Sequence, residues 1–202
     1  TICNNIPARL FRISFSGELA YEIAVPSRYG NSMFKVLMDA GSEFNVVAYG
    51  TEALGVMRIE KGHAAGNELN GQITAQNLGL EKMMSKKKDF VGNVLSRRSE
   101  LNKESIVKLV GFKPVNKEIE LKAGAHFISL GKEACTKNDE GWMSSVAFSP
   151  SLNHSIGLGF IKNGNNRIGE IVNAVDPLRK SNIEVEIVSP HFLDPEGERL
   201  RE

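Results

Sequence analysis

Two charged residues on one predicted helix are the first candidates for chemistry. Residues 51–61 carry apolar side chains at helical spacing, and a rotation of about 100° per residue places Ala53, Leu54, Val56 and Met57 on one face. Glu60 falls inside that face and Arg58 lies at its edge. A buried charge has to be paired or hydrogen-bonded. We therefore expect both residues to have polar partners, and Glu60 to tie the helix to neighbouring strands.

Glu18 is a third candidate, in a predicted turn. Ser16, Gly17 and Glu18 link the strands predicted at residues 8–15 and 20–25, and a glycine in a short link between two strands is typical of a hairpin. On these grounds alone, Glu18 is a solvent-exposed turn carboxylate.

The elements that position these residues follow from local signals. Pro26 ends the second strand, Ser27 is the predicted N-cap of a helix with apolar residues at 33, 36, 37 and 40, and Gly41 is its predicted stop. Residues 44–48 predict a short strand. The helix at 51–61 is predicted to begin with Thr51 as its cap and to end at Gly62. Residues 62–79 predict a long loop, and residues 90–98 a short helix.

The second half of the chain changes to short β-rich segments separated by turn residues. The predicted strands are residues 106–112, 125–130, 143–148, 156–161, 168–175 and 183–188. Such spacing favours a small antiparallel barrel or sandwich. The sequence thus predicts an α+β chain with two parts, residues 1–104 and residues 105–202.

Several other functions find no support in the sequence. The net charge is +1, from 25 basic and 24 acidic residues, which gives no reason to expect a nucleic acid or an anionic membrane as partner. The run Lys86 to Lys88 is interpreted as a solvated turn. The four histidines lack metal-ligand spacing, and neither Cys3 nor Cys135 has a nearby His to activate it. Two distant cysteines favour a reducing cytoplasm, and no apolar stretch reaches the roughly 18 residues of a membrane span.

Four stretches, in the right order, resemble the aminomethyltransferase (glycine cleavage T-protein) superfamily. They are residues 12–23 (RISFSGELAYEI), 49–62 (YGTEALGVMRIEKG), 87–92 (KKDFVG) and 144–158 (SSVAFSPSLNHSIGL). Within the superfamily the chain resembles the alpha-subunit branch of the heterotetrameric sarcosine oxidases, through residues 14–19, 49–53, 60–62 and the tail at 194–200. Leu54 and Gly55 replace the Arg and Asp of the glycine-cleavage A-R-D motif, which fits the oxidase branch.

The resemblance implies a partial folate-binding domain at residues 1–104, followed by the C-terminal β-barrel domain. It implies tetrahydrofolate as the ligand here, with FAD, FMN and NAD bound in other parts of a complex with the other sarcosine oxidase subunits. The catalytic Asp of the family is expected upstream of residue 1, in a longer chain, so no catalytic residue is assigned. We expect this part alone to be inactive and to bind folate weakly or not at all.

The resemblance also assigns a folate-binding role to Glu18, Arg58 and Tyr21. A carboxylate accepts the amino group and the ring N–H of a pterin as a bidentate pair, which is the role implied for Glu18. Arg58 either contacts folate, directly or by orienting Glu18, or belongs to a buried network. Tyr21 either touches the pterin or packs in the core, and Tyr49 faces the same choice. Lys82 replaces a family Trp that would pack on folate, and Trp142 is expected in the barrel core.

The implied activity is transfer of the one-carbon unit from oxidative demethylation of sarcosine to tetrahydrofolate, giving 5,10-methylenetetrahydrofolate. One alternative is a free-standing aminomethyltransferase of the glycine cleavage type. Another, of a different class, is a non-catalytic folate-fold module that only supports subunit assembly.

Overall fold

The computed structural model describes residues 2–3, 5–103 and 105–201. The described part of the first half contains four short strands and three helices. The strands are β1 (Ile2–Cys3), β2 (Ile6–Pro7), β3 (Arg9–Phe11) and β4 (Glu22–Ala24). The helices are α1 (Gly30–Gly41), α2 (Thr51–Lys61) and α3 (Asn93–Ser96). Single 3-10 turns lie at Ser27–Tyr29, Ser42–Phe44, Glu81–Met83 and Ser99–Asn102.

The predicted tight hairpin around Glu18 is wrong. Strands β3 and β4 pair antiparallel from Arg9 opposite Ala24 to Phe11 opposite Glu22. Residues 12–21 therefore form a loop instead of extending the two strands. The loop backbone bonds elsewhere, because the Leu19 N–H donates to the Arg199 carbonyl at 3.0 Å.

The start and the end of α1 also differ from the prediction. Ser27 opens a 3-10 turn, and α1 itself begins at Gly30. Gly41 is still helical, and the left-handed residue that ends the helical run is Asn45, with φ 56°. The strand predicted at residues 44–48 is absent from the described structure. Phe44 is 76% exposed, and a strand without a partner does not form.

Helix α2 has the predicted length, but it buries a different face. Thr51 is its first helical residue and Gly50 is the N-cap, whereas Gly62 ends the helix as predicted, with φ 77°. The buried residues form the last turn, from Arg58 to Lys61. This turn is buried because it packs against the second half of the chain, while the apolar face that includes Ala53 is more exposed.

The second half is a closed antiparallel barrel, and the six predicted strands are confirmed. They are β5 (Val107–Pro114), β6 (His126–Ser129), β7 (Asp139–Ser149), β8 (His154–Lys162), β9 (Ile171–Asp176) and β10 (Ser181–Val188), with 3-10 turns at Thr136–Asn138 and Gly164–Arg167. Their order around the barrel is β10-β5-β8-β7-β6-β9. The helix predicted at residues 90–98 is reduced to α3, and the 3-10 turn Ser99–Asn102 lies beyond the predicted range.

Two apolar clusters lie in and against the barrel, and one of them holds the two halves together. One cluster fills the barrel and includes Phe112, Phe127 and Met143. The other joins Leu158 and Phe160 of β8 to Ile59 of α2. Strand β8 is buried along nearly its whole length. Its alternate residues Ile156, Leu158 and Phe160 enter the second cluster. On the opposite face, Gly157 and Gly159 allow the neighbouring strand to approach closely, and Ile161 enters the barrel cluster. Trp142 is half-buried and packs in the second cluster, on Phe160 at 5.3 Å between ring centroids, and not inside the barrel as predicted.

Candidate functional site

Glu18 lies at the rim of a small cavity between the two halves of the chain. The cavity has a volume of about 130 Å³, and four segments line it: the loop at residues 12–21, the C-terminal end of α2, Ser151 in the turn between β7 and β8, and the C-terminal segment. We call residues 193–201 the C-terminal strap. The charged lining residues are Glu18, Glu60, Lys61, Asp194 and Arg199. The cavity is a size that holds one edge of a ligand and not a whole folate, since ligand pockets usually measure roughly 300–1,000 Å³.

The Glu18 carboxylate is held by the strap. Arg199 Nη1 donates to Glu18 Oε1 at 3.1 Å, with both side chains about half exposed. Within residues 5–103 and 105–201, Glu18 Oε2 has no hydrogen-bond partner. Arg12 Nη2 also donates to the Leu200 carbonyl at 3.0 Å. Together with the bond from the Leu19 N–H to the Arg199 carbonyl, three hydrogen bonds join the loop and the strap. One carboxylate oxygen is thus oriented and the other is open to a ligand.

The strap is anchored to the end of α2. Lys61 Nζ donates to Asp194 Oδ2 at 3.1 Å and to the Asp194 carbonyl at 2.5 Å, and both side chains are about nine-tenths buried. Burial by itself would raise the pKa of the Asp194 carboxyl. The N–H of Glu198 and the Lys61 ammonium outweigh that effect and hold the pKa below its usual value. Asp194 is therefore a stable anionic anchor at neutral pH.

Arg58 belongs to a buried ion network on the side of α2 that faces the barrel. Its Nη1 donates to Glu68 Oε2 at 3.0 Å and to the His63 carbonyl at 3.3 Å. Its Nη2 donates to Ser145 Oγ at 2.7 Å. The guanidinium that contacts Glu18 is thus Arg199 and not Arg58. These bonds match the structural alternative for Arg58, and a contact between Arg58 and folate stays a prediction.

Glu68, in the loop after α2, is fully buried and satisfied on both oxygens. Oε2 accepts from Arg58 and from the Ala65 N–H, and Oε1 accepts from the hydroxyls of Ser144 and Ser145 at 2.5 and 2.6 Å. Burial raises the pKa of this carboxyl, but the two serine hydroxyls, the Ala65 N–H and the Arg58 charge together lower it below its ordinary value of 4.5. Glu68 is therefore ionised at neutral pH, although it is wholly inside the protein.

A β-bulge explains why two consecutive serines reach one carboxylate. Side chains alternate between the faces of a regular strand. In β7 the register shifts, because Met143 pairs with Gly159 and Ser145 with Leu158, which leaves Ser144 as an extra residue. A bulge re-aims side chains in this way. Both hydroxyls then point to the same buried group.

Glu60 is bonded to the barrel and to the strap. Its Oε1 accepts from Ser149 Oγ at 2.5 Å, at the end of β7. Its backbone carbonyl accepts the N–H groups of Phe192 and Leu193 at 2.9 and 3.0 Å. The last turn of α2 therefore takes part in two polar networks. Arg58 binds Glu68 and the barrel, and Lys61 binds Asp194 of the strap.

The structure does not bring the three predicted folate residues together. Glu18 lines the cavity, Arg58 lies in the network behind it, and Tyr21 is 54% exposed and outside the cavity lining. Their contacts with folate stay predictions. The residues that sequence reasoning missed are Lys61 and Glu68, together with the anchors of the strap. The resemblance to the family includes residues 60–62 and 194–200, but it does not predict a function for Lys61, Asp194 or Arg199.

Another cavity, of about 330 Å³, lies on the barrel and shares no lining residue with the Glu18 cavity. Cys135, His126 and Asp139 line it, and His126 Nδ1 lies 2.9 Å from Asp139 Oδ2. The fold thus brings His126 to the same cavity as Cys135, which the sequence did not indicate. The described residues show no hydrogen bond between the His126 and Cys135 side chains, and they contain no group of three or more His, Cys, Asp or Glu that could hold a metal ion.

Among the helices of the described residues, none has the length and apolar character needed to cross a membrane.

Comparisons with known proteins decide the family. Residues 1–88 match the family model described as GCVT N-terminal domain, and residues 108–194 match the Glycine cleavage T-protein C-terminal barrel domain. The chain belongs to the glycine cleavage T-protein family. The barrel described above is the C-terminal barrel of that family, and the loop, α2 and the segments before them correspond to the N-terminal model.

Three relatives illustrate how far the similarity extends. Sarcosine oxidase subunit alpha of Rhizobium meliloti is 43% identical over 192 residues, which are 95% of this chain and 20% of that protein. The mitochondrial aminomethyltransferase of Mesembryanthemum crystallinum is 30% identical over 84% of this chain and 41% of that protein. The crystal structure of aminomethyltransferase T from Bartonella henselae superimposes with a TM-score of 0.74 at 22% identity, over 91% of this chain and 49% of that one.

These coverages limit what the family shows. The chain spans about a fifth of the sarcosine oxidase alpha subunits and less than half of the aminomethyltransferases that it matches. The family and the fold are therefore established, and the activity of a whole protein is a matter of proposal.

Proposed function

We propose that these residues form part of a tetrahydrofolate site, in a protein that transfers the one-carbon unit of sarcosine to folate. The observation that carries the proposal is the Glu18 carboxylate, with one oxygen held by Arg199 and the other open at the rim of a cavity between the two halves. Each carboxylate oxygen has two lone pairs, so Oε2 and the remaining lone pair of Oε1 can accept the amino group and the ring N–H of a pterin side by side. The similarity to sarcosine oxidase subunit alpha supports the choice of amine.

The chemistry asked of this region is positioning. Oxidative demethylation of sarcosine releases the methyl carbon as formaldehyde or an iminium ion. The two folate nitrogens bond to that carbon, and water or the amine leaves, which gives 5,10-methylenetetrahydrofolate. Holding two reactants in the right geometry supplies roughly 7–11 kcal/mol of a barrier at best. Glu18 would fix the pterin edge, so that the reactive nitrogens lie at a constant place.

Tyr21 and Arg58 receive different roles in this proposal. The Tyr21 ring is 54% exposed on the loop that carries Glu18, so it is available to pack on the bound ligand. Arg58 is buried and donates to Glu68 and Ser145, so it would support the folate site from behind by fixing α2 on the barrel. FAD, FMN and NAD would be bound outside these residues, in other regions or subunits of a cytoplasmic heterotetramer.

The test is replacement of Glu18 by Gln in the intact protein that carries these residues. Isothermal titration with 5-formyltetrahydrofolate, a stable reduced folate, is expected to show a loss of about 1.5–3 kcal/mol, the value of a hydrogen bond to a charged group. Glu184→Gln is the matched control, because Glu184 is an exposed carboxylate on β10. An unchanged affinity for Glu18→Gln would remove this carboxylate from the site and overturn the proposal.

A second prediction separates a folate protein from a module that only supports assembly. Folate present at 100 times its dissociation constant is expected to raise the free energy of unfolding of the intact protein by about 2.7 kcal/mol. Urea unfolding with and without 5-formyltetrahydrofolate measures the difference. If the chain is only an assembly module, we expect no difference at any folate concentration.

A different measurement distinguishes the oxidase from a free-standing aminomethyltransferase. We expect flavin in the purified intact protein if it is an oxidase, and no flavin if it is a free-standing aminomethyltransferase.

A further inference from the structure

The side chain of Lys61 connects the two segments that hold Glu18. Its ammonium group binds Asp194 at the base of the C-terminal strap. Its methylene stem lies directly under Gly17, because a Cβ atom on Gly17 would be 2.4 Å from Lys61 Cδ. Gly17 has φ +90°, a conformation that favours glycine. One buried side chain therefore touches the loop next to Glu18 and also fastens the strap that carries Arg199.

The Asp194 carboxylate also accepts hydrogen bonds from the backbone of the strap. Its Oδ1 accepts the Glu198 N–H at 2.9 Å, and its Oδ2 accepts the Arg199 N–H at 3.3 Å. The strap thereby folds into a compact turn over residues 194–199, with a further bond from the Gly197 N–H to the Asp194 carbonyl at 3.0 Å. Arg199 leaves this turn pointing to Glu18. The chain of contacts runs from α2 through Lys61 and Asp194 to the guanidinium that orients the Glu18 carboxylate.

We propose that Lys61 is a positioning residue for Glu18, acting through the Asp194–Arg199 turn of the strap and through Gly17. The inference rests on the proposed function, because it assigns a second residue to the same pterin site. Lys61 itself needs no contact with folate. Its ammonium has two acceptors on Asp194, and the role is to keep one end of α2, the loop and the strap at a fixed spacing.

The experiment is a set of coupled substitutions in the intact protein, measured by titration with 5-formyltetrahydrofolate. Lys61→Met keeps a stem under Gly17 and removes the ammonium. We expect it to weaken folate affinity about tenfold when Glu18 is present and less than about twofold when Glu18→Gln is already in place, since residues in one network are not additive. Lys61→Arg is expected to restore most of the affinity, because a guanidinium also binds the Asp194 carboxylate.

Two further variants keep the result interpretable if Lys61→Met does not fold. Lys61→Met combined with Asp194→Asn removes both charges of the buried pair, so that no ion is left unpaired. Arg199→Gln breaks the final contact at a half-exposed side chain. Both are expected to show the same dependence on Glu18. Lys113→Met is the control for loss of a lysine charge, because Lys113 pairs with Glu186 at 3.0 Å on the barrel, in a more exposed pair outside the lining of the Glu18 cavity.

The outcomes separate the inference from the proposed function. If Glu18→Gln weakens folate binding but Lys61→Met does not, the folate site stands and the role of Lys61 is overturned. If Lys61→Met has an equal effect in the wild-type and the Glu18→Gln backgrounds, Lys61 acts independently of the carboxylate and the inference is again overturned. If Glu18→Gln itself has no effect, the proposed function fails.

Discussion

Replacement of Glu68 by Gln is expected to lower the free energy of unfolding by about 3–5 kcal/mol at pH 7, the cost of removing one partner from a buried ion pair. The amide is nearly the same size as the carboxylate, so the loss comes from charge and hydrogen bonding and not from a cavity. It leaves the Arg58 guanidinium buried without its counter-ion. An amide also has an NH₂ group in place of one carboxylate oxygen, and this group cannot accept hydrogen bonds. In wild type, Glu68 Oε1 accepts from the hydroxyls of Ser144 and Ser145, and Oε2 accepts from Arg58 and the Ala65 N–H. Urea unfolding of the 202-residue chain measures the difference.

The effect of Glu68→Gln should depend on pH in a defined direction. The pKa of Glu68 is lowered below its ordinary value of 4.5 in the folded chain. A group of this kind adds stability that is fully present above the unfolded pKa and is lost as the pH falls through the folded pKa. The difference in free energy of unfolding between wild type and Glu68→Gln is therefore expected to be constant near neutral pH and to become smaller below about pH 4.5.

Glu100→Gln provides the control for this experiment. Glu100 also pairs with a cation, Lys103, but its side chain is 73% exposed. Exposed pairs are worth about 0–1 kcal/mol, so this substitution should change stability little. A loss of less than about 1 kcal/mol for Glu68→Gln as well, or a gap that widens in acid, would contradict the assignment of Glu68 as the ionised centre of the network.

Replacement of Gly141 by Ala is expected to destabilise the chain by about 3 kcal/mol or more. Gly141 lies in β7, opposite Ile161 of β8, with φ +156°. A Cβ atom here would be 1.8 Å from the Phe160 carbonyl oxygen. Backbone atoms of a closed barrel have little freedom to move, so the two strands would have to separate. Urea unfolding of the variant measures the cost.

Gly55→Ala is the matched control, with the opposite sign. Gly55 lies inside α2, and a Cβ atom there would have no neighbour within 4 Å. Alanine in a helix interior is more favourable than glycine by roughly 0.8–1.0 kcal/mol, so this variant should gain stability. If Gly141→Ala is as stable as wild type, the distance between Gly141 of β7 and the Phe160 carbonyl of β8 must be larger than described.

The barrel could be predicted from sequence because its signals are local. Alternating apolar residues and turn residues mark all six strands, and closure follows once each edge needs a partner. Helix α2 was also predictable, since Gly62 marks its end. The course of residues 12–21 was not, because Leu19 bonds to Arg199, a residue far away in the chain that local patterns do not reveal.

The candidate site shows the same division between local and distant contacts. The family motif predicts a ligand role for Glu18, but it does not indicate the partner Arg199, because no periodicity links the two residues. Arg58 and Glu60 were recognised as charges that need partners, and the structure supplies Glu68 and Ser149. The β-bulge that turns two consecutive serines to one side leaves no simple trace in the sequence, since a regular strand would place them on opposite faces.

The contacts of the strap have a consequence for the order of events during synthesis. Arg199 and Glu18 are 181 residues apart in the chain, and Arg12 and Leu200 are 188 apart. On a ribosome, the α2 helix and most of the barrel are complete before Arg199 has left the exit tunnel. The Glu18 carboxylate therefore acquires its orientation only when the strap arrives, and a chain shortened before residue 199 would lose the ordered candidate site before it loses the barrel.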